Sequence, residues 1–103
     1  MAPVPVKVVR IITAWEAEER VLSVLKTLGV TGMTTGRVHG KGAHGKRPGG
    51  LLDGDNLSVT VLVSASEAEQ ILEWVETHLA KVHGAVAYSV DALAVPSDHF
   101  QQP

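Results

Sequence analysis

The residues best suited to bind a ligand lie in one stretch, residues 29–50, with the sequence GVTGMTTGRVHGKGAHGKRPGG. Six glycines fall between Gly40 and Gly54, and several cations lie among them. The positively charged side chains are Lys41, Lys46 and Arg47. Glycine lets successive backbone N–H groups turn toward one point, and neighbouring cations favour an anion there. The stretch therefore predicts a loop that binds a phosphate-bearing ligand, although a solvated linker without a binding role could have the same composition.

Composition limits the size and class of this protein. A chain of 103 residues, 45% of them hydrophobic, fits one globular domain whose small core would gain from oligomerisation. The sequence has no cysteine and no apolar run of the roughly 20 residues that span a bilayer. The first residues, MAPVPVKVV, lack the pattern of a signal peptide, so we expect a cytoplasmic protein without membrane insertion. A net charge of −2 argues against nucleic-acid binding, which needs a basic surface.

Hydrophobic periodicity predicts four strands and two helices. Alternating patterns favour strands over residues 6–13, 33–39, 57–64 and 85–93. One helix follows the first strand and ends at Gly29, and the other follows the third strand and ends near residue 83. The capping-box pattern occurs at the start of both helices. It joins Thr13 to Glu16 and Ser64 to Glu67. The expected inward residues of the second helix are Ala68, Ile71, Leu72, Val75, Leu79 and Val82.

The order of these elements, βαββαβ, predicts an α+β protein with a ferredoxin-like fold and an antiparallel sheet. We expect a single domain over residues 1–103, with a core from about residue 6 to residue 93. The long loop between the second and third strands covers about residues 40–55, and a C-terminal tail covers residues 94–103. Because this fold serves many functions, the function has to be inferred from the sites.

Several functions common to this fold do not fit the sequence. RNA recognition needs aromatic side chains on the first and third strands, and none lies there. The run GKGAHGK at residues 40–46 matches the phosphate-binding pattern G-x-x-x-x-G-K, but the next residues, Arg47 and Pro48, replace the required Ser or Thr and the helix start. No nucleophile has an adjacent base, so we expect a protein that is not an enzyme.

Read together, these residues resemble the PII signal-transduction superfamily. The resemblance is carried by GVTGMT at residues 29–34, by GKG at residues 40–42, by the long loop and by the βαββαβ order. It implies a homotrimer that binds adenine nucleotides in clefts between subunits and docks on a target through the long loop, called the T-loop. It places Thr34 on the adenine side and the glycines Gly40 and Gly42 at the base of the loop.

The likeness is closer to PII-like proteins linked to inorganic-carbon uptake, both the bicarbonate-transporter-associated and the carboxysome-associated kinds. The glutamine that helps PII proteins hold magnesium and 2-oxoglutarate is missing after Gly42, and so are the C-terminal arginines. The resemblance implies ADP or AMP as the ligand, with bicarbonate as a candidate second ligand and no prosthetic group. It assigns phosphate contact to Arg47 and the loop base to Lys41. The residues expected at the nucleotide site are Thr34, Gly40, Lys41, Gly42, Arg47, Leu62, Val63 and Gly84.

Three functional hypotheses follow. The first is a non-catalytic sensor of ADP or AMP that regulates inorganic-carbon uptake or fixation, with a bicarbonate transporter or a carboxysome-linked protein as its partner. The second is a divalent-metal-responsive trimer of the same fold, with His39 and His44 as ligands. The third is an interaction module whose loop docks on a transporter without any ligand.

Overall fold

The computed structural model describes residues 2–40 and 54–96 of the chain. Four strands and two helical segments occur there in the predicted βαββαβ order, which confirms the predicted α+β fold. The strands are β1 (Val4–Ala14), β2 (Thr34–Gly40), β3 (Gly54–Val63) and β4 (Val86–Ala94). The first helical segment comprises a 3₁₀ turn (Trp15–Ala17) and α1 (Glu18–Thr27), and the second comprises α2 (Ala65–Trp74), a π-helical turn (Val75–Leu79) and α3 (Ala80–His83). Most of the predicted loop and most of the predicted tail lie outside the described residues.

The four strands form one sheet in the order β2-β3-β1-β4, and every neighbouring pair is antiparallel. The central strands are β1 and β3, in which Val9 lies opposite Val61 and Ile11 opposite Val59. The edges of the sheet are β2 and β4. Because residues paired across an antiparallel ladder point to the same face, this register assigns each side chain to one of two faces.

The first face packs against both helical segments and holds the core. The side chains of Val9 and Ile11 in β1 are fully buried there. The predicted alternation in β3 is confirmed, since its inward residues are all buried; they are Leu57, Val59, Val61 and Val63. The helices contribute Val21, Leu25, Ile71, Val75 and Leu79 to the same cluster. Each fully buried aliphatic side chain stabilises the fold by about 1.5–3 kcal/mol, so this layer holds the single chain together.

The second face, which we call the open face, is also largely apolar. Its partly or well exposed apolar side chains are Val8, Ile12, Leu62, Val86, Tyr88 and Val90, whereas Val6, on the same face near the start of β1, is buried. The three from β4 are 42–55% exposed, so none of the described elements covers them. A contiguous exposed apolar surface is typical of an interaction site. The described residues of one chain therefore leave the β4 part of this face uncovered.

The two capping boxes predicted from the sequence have different outcomes. At α2 the prediction is confirmed: the Glu67 amide donates to Ser64 Oγ over 3.2 Å, and the Ser64 amide donates to Glu67 Oε1 over 3.0 Å. At the first helical segment it is wrong. Thr13 is a fully buried strand residue paired with Leu57, and the chain enters the 3₁₀ turn only after Ala14 without a side-chain cap. The ladder to β3 extends β1 past the point where the cap would have formed.

The second helical segment contains a π-helical turn that the sequence analysis did not predict. To the end of this turn the predicted inward stripe holds: Ala68, Ile71, Val75 and Leu79 are buried, and Leu72 is half-buried. Val82 was predicted to point inward and is instead 55% exposed. One extra residue in a helical turn rotates the following residues by about 100°, which moves Val82 out of the stripe. None of the described helices is long and apolar enough to cross a membrane.

Candidate functional site

The base of the long loop is formed by the ends of β2 and β3. Gly40 and Gly54 form the last pair of the ladder between these strands. A Cβ atom added at Gly40 would lie 3.5 Å from Asn56 Nδ2, which is an ordinary contact. The fold of the single chain therefore does not itself require glycine at position 40. The position of Gly40 at the end of the ladder agrees with its predicted place at the base of the loop.

A cation and an aromatic ring meet beside this loop base, and the sequence analysis did not anticipate the contact. The Arg37 guanidinium carbon lies 4.0 Å from the centroid of the Trp15 ring, and its Nη1 lies 3.5 Å from Asp55 Oδ2. Arg37 is paired with Leu57, so it points to the helix-covered side of the sheet. Arg37 interrupts the apolar pattern of β2 for this reason: it stacks on the turn that follows β1.

Three of the predicted nucleotide residues lie at the other end of the sheet. Thr34 begins β2, is exposed and pairs with Thr60. Leu62 lies on the same face as Thr34 and is 37% exposed. Val63 points to the opposite face and is buried, so only its backbone could meet a ligand there. A ligand lying along this end would meet a hydroxyl, an aliphatic side chain and strand backbone, which together suit the flat face and polar edge of a base.

Gly84 ends the second helical segment. Its backbone is left-handed, with φ 60° and ψ 70°, and its amide donates to the Ala80 carbonyl over 2.9 Å. Other residues are strained in this conformation, so the position favours glycine for the helix end alone. Gly84 lies beside the start of β4, at the same end of the sheet as Gly40 but at the opposite edge.

The predicted nucleotide residues therefore fall into two groups that a single chain does not bring together. From Gly54, at the loop base, to Leu62 there are eight residues of β3, which is about 26 Å of extended strand. Two open cavities among the described residues, of about 650 and 820 Å³, are lined by other residues. Lys41, Gly42 and Arg47 lie outside the described residues.

The hypothesis of a metal site gains no support from the described part of the chain. His39 is exposed and lies opposite Asp55 in the ladder. Among residues 2–40 and 54–96, no group of three His, Cys, Asp or Glu side chains could hold a metal ion. His44, the second predicted ligand, is outside these ranges.

The four-stranded ferredoxin-like sheet, with a long glycine-rich connection between its second and third strands, fits the PII superfamily that the sequence resembles. The family model described as nitrogen regulatory protein P-II matches residues 6–97, and the chain therefore belongs to that family. A search of the curated proteins returns no significant match.

Solved structures of similar fold agree with this assignment. A PII-like signalling protein from Thermus thermophilus is 26% identical, with a TM-score of 0.76 over 92% of this chain and 94% of that one. CPII from Thiomonas intermedia, bound to ADP and bicarbonate, is 26% identical, with a TM-score of 0.74 over 89% of this chain and 90% of that one. A further structure of CPII, described as a nitrogen regulatory PII-like protein bound to ADP, AMP and bicarbonate, is 22% identical, with a TM-score of 0.77 over 92% and 98%.

Proposed function

We propose that this chain is a non-catalytic signalling protein that binds ADP or AMP in clefts between the subunits of a homotrimer. The observation that carries the proposal is the separation of the predicted nucleotide residues. Thr34, Leu62 and Val63 lie at one end of the sheet, whereas Gly40 and Gly84 lie at the other. A site that needs both groups requires two copies of the chain.

The open face supports assembly. It exposes Val86, Tyr88 and Val90 by 43%, 42% and 55%. Covering such a face removes apolar area from water at about 25 cal/mol per Å². Closed cyclic assembly is the usual way for identical chains to cover one another's surfaces. In a ring, the Thr34 end of one subunit can face the Gly40 end of the next, which would complete a cleft at every interface.

The chemistry of the two ends suits a nucleotide. The Thr34 end offers a hydroxyl and an aliphatic surface for a base, and the loop end offers glycine backbone for phosphate. Lys41 and Arg47, on the connection between β2 and β3, would supply positive charge for the phosphates. CPII, which is 26% identical to this chain, is described as bound to ADP and bicarbonate, and this supports the same ligands here.

The proposal also includes a signalling role, in which ligand binding changes the long loop and a partner protein recognises the change. A long loop that contacts the ligand at its base can change its exposed part when the ligand binds, and that part is then read by a partner. Because the related CPII binds bicarbonate, we propose regulation of inorganic-carbon uptake or fixation, with a bicarbonate transporter or a carboxysome-linked protein as the partner. The proposed site of action is the cytoplasm, where ADP and AMP are available.

The test combines assembly with ligand binding. Light scattering should give a mass of three chains of 10.9 kDa. Val90 on the open face and Val82 on α3 are both 55% exposed, so they form a matched pair. Val90→Asp should dissociate the trimer because it places charge in the interface, and Val82→Asp should not.

Calorimetry of the wild type should detect ADP and AMP binding, and should show whether bicarbonate changes the affinity for either nucleotide. A monomer at micromolar concentration, or ADP binding that survives dissociation, would contradict the proposal.

A further inference from the structure

The side of the molecule opposite the open face has a groove that the proposed nucleotide site does not use. This groove, of about 820 Å³, runs between the second helical segment and the edge strand β4. Its floor is formed by half-buried apolar side chains: Leu72, Ala80, Ala85 and Ala87. Alanines leave space between the helix and the strand, so the backbone of another chain could approach closely.

The helical wall of the groove carries three carboxylates. Glu69, Glu73 and Glu76 are all exposed and line the same groove. Their spacings of four and three residues place them as neighbours on one helix face, where like charges destabilise a helix by about 0.2–0.5 kcal/mol per pair. The ion pairs found among the described residues are Lys7 with Asp91 and Arg37 with Asp55, and neither involves a carboxylate of this wall.

Two other occupants fit this groove poorly. The carboxylates would repel a nucleotide or another phosphate ligand. The described residues contain no group of three acidic or histidine side chains close enough to hold a metal ion. What remains complementary is a partner that is both cationic and apolar.

We propose that this groove binds a basic amphipathic helix of a partner protein. Glu69 and Ala80 are eleven positions apart, or about 16 Å along the helix axis, which is the length of about three helical turns. Lysines or arginines at i, i+4 and i+7 of a partner helix can meet glutamates at the same spacing, while its apolar side chains rest on the alanine floor. The π-helical turn Val75–Leu79 forms part of the wall, and such turns are frequent at functional sites.

The groove lies close to the proposed nucleotide cleft, so a partner bound in it would be near the nucleotide. Ala85 follows Gly84 directly, so one end of the groove adjoins a residue proposed for the nucleotide cleft. On the proposed function, in which Gly84 belongs to the nucleotide cleft, a partner helix in the groove would lie next to the bound nucleotide. The docking surface goes beyond the proposed function and is separate from the long loop.

The experiment uses the full chain labelled with ¹⁵N, in the presence and absence of ADP. The probe is a synthetic 14-residue helical peptide with leucines at helical spacing and lysines elsewhere, and its control has glutamate in place of each lysine. We expect the lysine peptide to shift the amide signals of Glu73, Ala85 and Ala87, with an affinity that falls as salt is added. The glutamate peptide should leave these signals unchanged.

Two double variants distinguish binding at the groove from attraction of the peptide to the overall negative charge of the protein. Glu73→Gln with Glu76→Gln should weaken the lysine peptide about fivefold, as expected for two exposed ion pairs. Glu16→Gln with Glu19→Gln removes the same charge from exposed positions outside the groove and should change the affinity little. Absence of binding, equal weakening in both double variants, or shifts elsewhere would overturn the proposal. Groove signals that are shielded from a soluble paramagnetic probe in the free assembly would mean that a second copy covers the groove, and would also overturn it. ADP binding, measured on the same samples, tests the nucleotide site independently.

Discussion

Ile11 and Ile12 are adjacent in β1, yet their surroundings differ. Ile11 lies under the helices and is fully buried, whereas Ile12 lies on the open face and is half-buried. The same contrast extends across the sheet, from Val59 and Val61 on one face to Val86 and Val90 on the other. The first face is completed by the chain's own helices. The second is also apolar, and no described element covers its exposed side chains on β4, which fits the assembly that we propose.

Replacing each of these two isoleucines with alanine should give the largest difference in the free energy of unfolding between the two faces. Ile11→Ala should lower the free energy of unfolding by about 2–5 kcal/mol, because it opens a cavity in the core. Ile12→Ala should act mainly by weakening assembly, so its effect should grow as the protein is diluted. Urea unfolding at several protein concentrations measures both. Equal losses that do not depend on concentration would show that the two faces are equivalent.

Removing the hydroxyl group of a threonine on each face gives a second comparison of the two faces. Thr13 is fully buried on the helix-covered face, and its Oγ1 has no hydrogen-bond partner among the described residues. Thr13→Val should therefore stabilise the protein by about 1 kcal/mol, since a buried hydroxyl without a partner is unfavourable. Thr60 lies on the open face, where Arg10 Nε donates to its Oγ1 over 3.4 Å. At a protein concentration low enough to dissociate the assembly, Thr60→Val should change the free energy of unfolding by less than about 0.5 kcal/mol. Destabilisation by Thr13→Val in thermal unfolding would argue for an internal partner such as buried water.

The stack of Arg37 on Trp15 should have the smallest effect on stability. Arg37→Ala should cost about 0.5–1 kcal/mol, the range for an exposed cation–π pair. Its ion pair with Asp55, which is also exposed, adds little. In a Trp74→Phe background, the emission of Trp15 should shift when Arg37 is replaced by alanine and shift less with lysine. Unchanged emission in both variants would show that the contact is not populated in solution.

The sequence was sufficient to predict the fold because its strongest patterns were local. The alternation in β3 and the capping box at Ser64 depend on residues a few positions apart, and both are confirmed. The cap at Thr13 failed because pairing with Leu57, a distant residue, extended β1. Hydrophobic periodicity does not predict the π-helical turn or the exposure of Val82.

The candidate site was harder to predict for a related physical reason. Thr34 and Gly40 lie only six residues apart in the sequence, and an extended strand separates them by about 20 Å. A local sequence pattern identifies such residues without showing that two chains must supply them. Arg37 was missed because its partners, Trp15 and Asp55, come from elements distant in the sequence.

The most direct test of a site shared between subunits is complementation in mixed trimers. Thr34→Trp would block the first end of the site, and Gly40→Val would block the second; Thr34 is exposed and Gly40 has room for a Cβ, so both chains should fold. Each variant alone should fail to bind ADP. In a cyclic trimer containing both variants, one cleft receives an intact end from each kind of chain. Co-expression in equal amounts should therefore restore about a quarter of the wild-type ADP stoichiometry in calorimetry. No restoration in trimers shown by mass to be mixed would contradict a site formed between subunits.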